Sequence, residues 1–236
     1  MKKLYKLTKK YSLVKAINIE NNDRQFIALN RLYHNIWNKE IFLALIISNS
    51  IICYQLSSKW EDYWEEFSEK SIIFFSNSKS KNKKNFFEEI FNFFDDFLVN
   101  SKWNKRFIKT KLKRLKKLET FFDDFLWKQE SFYNNMEILR DKLAITMKQK
   151  KDAKTIVFAV KMFSYWARIY FDYIKHFPQE IMIPIDSRLI KMYEKYKEDY
   201  NDVNLFYNDL SKKLKIAPLH LDAILWVNYE EIMKVD

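Results

Sequence analysis

The chain of 236 residues contains no glycine, where an average protein carries roughly 7%. Glycine enters left-handed backbone at no steric cost, so its absence withdraws the usual means of building primed hairpin turns. It also removes the glycine-rich loops that cradle phosphates in Rossmann and P-loop nucleotide sites. Helix joined to helix remains easy to build, and the chain is expected to be all-α. Hydrophobic residues make up 48% and aromatics 18%, enough to bury a sizeable core and too rich for wholesale disorder.

The 42 basic and 31 acidic side chains leave a formal charge of +11. That excess favours a polyanionic partner, nucleic acid before membrane, although many soluble proteins are basic without one. A single cysteine, Cys53, excludes an internal disulfide. His34, His176 and His220 are too scattered for a zinc or iron–sulfur site, so no metal or cofactor is expected. The apolar run from Ile41 to Ile52 is broken by Ser48, Asn49 and Ser50 and is too short to cross a bilayer. Nothing resembles an export signal, and a cytoplasmic protein is expected.

Residues 1–22 read as basic and irregular. Asp23 can cap a helix whose apolar positions Phe26, Leu29, Leu32, Tyr33 and Ile36 share one face. Gln25 falls in its first turn, where an amide is ordinarily solvated. A buried helix over about 39–56 follows, and then an amphipathic helix in which Trp60 and Trp64, four apart, read as core anchors. The Ser/Asn/Lys tract 76–85 reads as a flexible basic loop. The hexapeptide FFDDFL recurs at 93–98 and 121–126 and marks two similar amphipathic helices. Between them, 102–117 carries nine Lys or Arg and no acid. Phe107, Ile108, Leu112 and Leu115 lie there at helical spacing, which predicts one docked face and a basic exterior, either solvated or holding phosphates.

A helix from Phe132 to Leu143 is joined by the short basic connection 147–153 to another that starts at Lys154. Lys148, Lys150 and Lys151, with the backbone amides of such a helix–hairpin–helix (about 132–173), can grip DNA phosphates. The second helix puts Lys154, Phe158, Lys161 and Tyr165 on one side. Pro178 and Pro184 bracket an irregular segment, after which Asp186 is an N-cap candidate. Pro218 opens the final helix, where Asp222 and Trp226 share a face.

An uncharged lysine can attack a sugar carbon to form an imine, and an ionised carboxylate can take the proton and steady the positive charge at C1′. Lys154 and Asp186 are suitable types for these roles. By spacing alone they are equally a surface lysine and a plain cap. Phe158 and Trp226 are equally core residues, and Asp222 a favourable acid in a first helical turn.

Five runs carry a wider pattern: Cys53–Ser57 (CYQLS), Tyr63–Ser68 (YWEEFS), Ala153–Met162 (AKTIVFAVKM), Ile183–Arg188 (IPIDSR) and Pro218–Trp226 (PLHLDAILW). In order and interval, from about Gln25 to Trp226, they resemble the archaeal 8-oxoguanine DNA glycosylases of the AGOG family. The resemblance implies one all-α, two-subdomain helix-hairpin-helix DNA glycosylase unit over 1–236, with its active-site cleft between the subdomains. It implies a bifunctional glycosylase and AP lyase, with Lys154 as Schiff-base nucleophile and Asp186 as its activating carboxylate. Phe158 and Trp226 would sandwich the flipped base, the Pro184 carbonyl would accept from N7–H, and Gln25, Cys53, Trp64 and Asp222 would line or read the base edges. Damaged double-stranded DNA is the implied partner, with single strands left open, and a monomer is expected. The chain departs from the wider superfamily in a hairpin without Gly-x-Gly, and from the family in Cys53, where a small hydroxyl residue is expected. The 76–85 tract has no assignable counterpart. Release of an alkylated base, or DNA binding without catalysis, are the alternatives.

Overall fold

The computed structural model describes residues 1–36, 38–57, 60–76, 86–125 and 127–235. Among them the regular structure is helical throughout: α1 Lys2–Thr8, α2 Leu13–Asn21, α3 Arg24–Asn35, α4 Lys39–Ile52, α5 Trp60–Ser76, α6 Phe86–Asn100, α7 Ile108–Lys116 and α8 Glu119–Phe125. There follow α9 Gln129–Asn134, α10 Met136–Met147, α11 Lys154–Phe171, α12 Ser187–Tyr196, α13 Val203–Leu214, α14 Pro218–Val227 and α15 Tyr229–Lys234. None is long and apolar enough to cross a membrane among the described residues.

Two apolar cores organise these helices. The larger joins α3 to α11, with α11 lying along α4 and α3 along α5. Helix α11 is buried through three successive turns, from Ile156 to Arg168. The smaller core gathers Leu4, Ala16, Met192, Phe206, Leu210 and Ile224 from the two ends of the chain. Helix α14 serves both, since Leu219 packs into the larger core and Leu221, Ile224 and Leu225 into the smaller. It therefore sets the position of one core relative to the other.

Several expectations are corrected, among them the single helix from Phe132 to Leu143, which is broken at Asn135 into α9 and α10. Residues 1–22 are not irregular but form α1 and α2; Ser12 caps α2 through Lys15 N–H, and Leu4, Ala16 and Glu20 are buried. The 39–56 helix stops at Ile52, and Gln55 beyond it turns left-handed. The helix expected over 102–117 occupies only Ile108–Lys116. Upstream, Ser101 Oγ accepts from Trp103 and Asn104 N–H, while Glu66 accepts from Ser101 Oγ–H and Lys102 N–H. That local turn competes with helix; it leaves Phe107 exposed rather than docked and puts Lys111 inside, where burial pulls its ammonium down to about 8. Finally, α14 is followed by α15. The basic loop expected at 76–85 lies, apart from Ser76, outside the described residues.

The missing glycines leave a trace. Gln55, Phe107, Lys148, Asp172, Glu198 and Lys215 all sit at positive φ between 49° and 58°. Two of them close Schellman turns. Lys215 N–H reaches Lys212 O and Ile216 N–H reaches Ser211 O, both at 3.1 Å. Lys148 N–H reaches Ile145 O at 3.0 Å and Gln149 N–H reaches Ala144 O at 2.9 Å. Glycine is ordinarily found at this position because a Cβ is penalised there. Lys215→Gly is therefore expected to stabilise the protein by roughly 0.5–1 kcal/mol, after glycine's own unfolded-state entropy is counted. In thermal unfolding the midpoint should rise by about 1–4 °C; a fall would show that the lysine makes a contact worth more than the strain.

Candidate active site

A pocket of about 420 Å³ opens where α11 and α14 approach each other, lined by Asp23, Gln25, Trp60, Lys154, Phe158, Lys161, Pro184, Asp186, Asp222 and Trp226. Five separate segments supply these side chains, each placed by an ordinary local device. Lys154 is the first residue of α11, and Phe158 and Lys161 follow on the same face at i+4 and i+7. Asp23 caps α3 by accepting from Gln25 N–H at 2.9 Å, which fixes Gln25 at the pocket wall with its side chain buried. Asp186 caps α12 by accepting from Leu189 N–H at 2.9 Å through Oδ1. Pro218 starts α14, so that Asp222 and Trp226 fall one turn apart on the pocket side.

Aromatic rings form much of the wall. Phe158 stands edge-on to Trp60 with centroids 4.9 Å apart, and the Lys154 ammonium lies 5.1 Å above the Trp60 ring. Trp226 donates its indole N–H to Glu61 Oε1 at 3.3 Å. The Arg188 guanidinium, which is not part of the pocket lining, lies 4.0 Å from the Trp226 ring and 5.5 Å from Tyr229. Trp226 is thus held by a hydrogen bond and a cation–π contact.

Charge in the pocket is paired across the two cores. Lys161 Nζ meets Asp222 Oδ2 at 2.6 Å, and both side chains are buried. Burial pushes the Asp222 carboxyl up, Lys161 pulls it back, and the nearby Asp186 charge pushes it up again. Burial works against the Lys161 charge, but Asp222 and Asp23 more than offset it and hold its ammonium above the ordinary value. Burial likewise raises Asp23, against the pull of Lys161 and of Gln25 N–H.

A second, open groove of about 880 Å³ runs beside the hairpin, lined by Gln149, Lys150, Asp152, Ala153, Ile185, Val203, Asn204 and again Lys154. Lys154 therefore stands where the aromatic-walled pocket meets the open groove beside the hairpin. An amine, a carboxylate and two ring faces around one cavity suit nucleophilic attack on a flat heterocycle's point of attachment.

Comparison with known proteins bears on this geometry. Residues 6–236 match the profile of the AGOG family, described as N-glycosylase/DNA lyase. The chain belongs to that family. An N-glycosylase/DNA lyase of Methanococcus maripaludis is 40% identical over 210 residues, which cover 88% of this chain and 78% of that one. The protein of the same description from Thermococcus kodakarensis is 39% identical, over 88% of this chain and 75% of its own length. A solved structure of similar fold is 8-oxoguanosine-complexed Pa-AGOG, the 8-oxoguanine DNA glycosylase from Pyrobaculum aerophilum. It has a TM-score of 0.74 at 19% identity, covering 97% of this chain and 87% of that chain.

Seven of the nine catalytic and base-contacting residues expected in this AGOG chain line the one pocket: Gln25, Lys154, Phe158, Pro184, Asp186, Asp222 and Trp226. Cys53 and Trp64 do not. Cys53 is wholly buried, where burial pushes its thiol well up, and it makes a weak contact to Ser50 O at 3.8 Å. Trp64 lies one layer behind the wall, 6.2 Å from Phe158 between centroids, and its indole N–H has no partner among the described residues. Lys148, Lys150 and Lys151 are exposed on the hairpin outside the pocket. Three pocket residues were not singled out by the sequence. Trp60 carried a signal only as the partner of Trp64 on one helix face. Lys161 shared the Lys154 face, and Asp23 was visible as a cap.

Proposed function

We propose that this N-glycosylase/DNA lyase releases 8-oxoguanine from double-stranded DNA and then cuts the strand, with Lys154 as nucleophile and Asp186 as the carboxylate that activates it. The observation that carries the reading is one pocket lined by Lys154, Asp186 and the rings of Phe158 and Trp226. An uncharged Lys154 amine attacks C1′; the N–C1′ bond to lysine forms as the glycosidic bond breaks, and the base leaves with a proton. The Asp186 carboxylate steadies the positive charge that builds on the sugar, then takes the ammonium proton left by the attack, and that proton passes to the departing base. Opening of the sugar ring gives the imine. Loss of a C2′ proton then expels the 3′ phosphate, and hydrolysis frees the lysine.

Phe158 and Trp226 supply ring faces that any flipped purine would accept, so selection must come from the edges. The Pro184 carbonyl is an acceptor for the N7–H that guanine lacks, and Gln25 and Asp222 are polar groups in reach of other edges. A buried acceptor left without a donor is costly, which disfavours guanine. We further take the chain as one glycosylase unit of two helical subdomains, each built on one apolar core, working as a monomer inside the cell. Lys148, Lys150 and Lys151 hold the DNA backbone at the hairpin.

Borohydride reduction during reaction with an 8-oxoguanine duplex tests this, because it fixes the imine as a stable amine. A protein–DNA adduct is expected with that duplex and not with an undamaged or alkylpurine duplex, and peptide mass mapping should locate it on Lys154. Absence of the adduct, or an adduct mapped to the hairpin lysines, would overturn the assignment.

A further inference from the structure

The basic exterior of α7 is left without a partner by the site just described. Its apolar side is used up: Leu115 is buried and Ile108 and Leu112 pack against the larger core. Lys109, Lys113 and Lys117 recur every four residues and are all exposed. They form one row about 12 Å long on the outward face. None of the ion pairs among the described residues involves them. Three like charges at this spacing repel one another, a cost that an anion would remove.

The row is tied mechanically to the hairpin. Arg114, on the flank between the buried and exposed sides of α7, donates to Ile51 O at 3.3 Å, to Gln149 Oε1 at 3.0 Å and to Thr155 Oγ1 at 3.2 Å. Gln149 belongs to the hairpin and Thr155 to the first turn of α11, beside Lys154. One guanidinium therefore fixes the orientation of α7 relative to both the hairpin lysines and the nucleophile's helix.

We infer that Lys109, Lys113 and Lys117 form a second duplex-binding surface, which contacts DNA phosphates beyond those held by the hairpin. This rests on the reading of the hairpin as a DNA contact. An anionic membrane is a poorer fit, because an interfacial helix must offer an apolar face to lipid and that of α7 is already docked. The row supplies point charges without base-reading groups, so its contribution is independent of sequence and of damage.

The test is the salt dependence of binding to an undamaged duplex of about 25 base pairs, for the full chain and for a Lys109→Gln, Lys113→Gln, Lys117→Gln variant. Each phosphate that the protein no longer neutralises should reduce the slope of log affinity against log salt by about 0.9. A decrease of about 2–3 is expected, with affinity at low salt reduced on the order of 10- to 100-fold. Lys212→Gln with Lys213→Gln, on α13, controls for bulk charge and should change the slope by less than the share of a single phosphate. A triple-variant slope equal to the parent's or to the control's would overturn the proposal. Borohydride trapping is read separately, so failure of the 8-oxoguanine assignment would appear there and leave the slope comparison intact.

Discussion

Asp186→Asn is expected to lower the rate of base release by roughly 10³-fold, the range of a lost proton acceptor, while the thermal midpoint moves by only a few degrees. The two effects separate because Asp186 has two jobs that asparagine shares unequally. As the cap of α12 it accepts from Leu189 N–H through one oxygen, and asparagine caps as well as aspartate. What the cap loses is the charge near the helix dipole, about 0.3–1 kcal/mol. As the partner of Lys154 it must accept a proton and oppose a positive charge, which a neutral amide cannot do. Asp202 provides the comparison, since it caps α13 in the same way through Leu205 N–H, is exposed, and is not part of the pocket lining. Asp202→Asn should move the midpoint by a similar few degrees and leave the rate of base release unchanged. Single-turnover excision and thermal unfolding of both variants decide it: if Asp186→Asn releases base at the parental rate, Asp186 is a cap and nothing more.

How far the sequence could be read depended on the range of the signal. Asp23, Asp186 and Pro218 are local helix-start devices, and each stands at the start the residues predict. The face of Lys154, Phe158 and Lys161 is likewise a matter of helical period. The errors came where a distant group decides. Ser101 looks free to continue a helix until Glu66, on α5, holds the turn there. Trp60 and Trp64 occupy the same face of α5, and nothing in their spacing says that one lines the pocket while the other lies behind Phe158. Residues 1–22 look basic and irregular in sequence, and nothing local shows that Glu20, a charged residue, is buried against partners on α11 and α14.

That buried glutamate carries the second large effect. Glu20 is fully buried, with Oε2 2.5 Å from Arg168 Nη1 and Oε1 2.7 Å from His220 Nδ1. His220 Nε2 accepts the Phe177 N–H at 3.2 Å. A backbone N–H can only donate, so in neutral His220 the proton is on Nδ1 and is given to Glu20. Arg168 lies against the rings of Tyr165 and Phe177 at 5.3 and 5.5 Å, and Glu20 is its ion-pair partner among the described residues. Glu20→Gln keeps the histidine contact and leaves a buried guanidinium uncompensated, a change that typically costs 3–5 kcal/mol. For a chain of this length the midpoint should fall by roughly 6–20 °C. Adding Arg168→Met removes the stranded charge and should recover more than half of the loss. Burial raises the Glu20 carboxyl, but His220 and Arg168 outweigh it and hold it below the ordinary 4.5. The folded state therefore binds this proton less readily than the unfolded chain. The stabilisation is complete above about pH 4.5 and is lost as pH falls through the folded value, a loss the Glu20→Gln variant should not show. Because α11 carries Lys154 and α14 carries Asp222 and Trp226, the same clamp aligns the pocket. The double variant should thus trap DNA better than Glu20→Gln alone at a temperature where the single variant is partly unfolded. Equal midpoints for the parent and Glu20→Gln would show instead that Arg168 finds water or another partner, and that α2 is held by its apolar contacts.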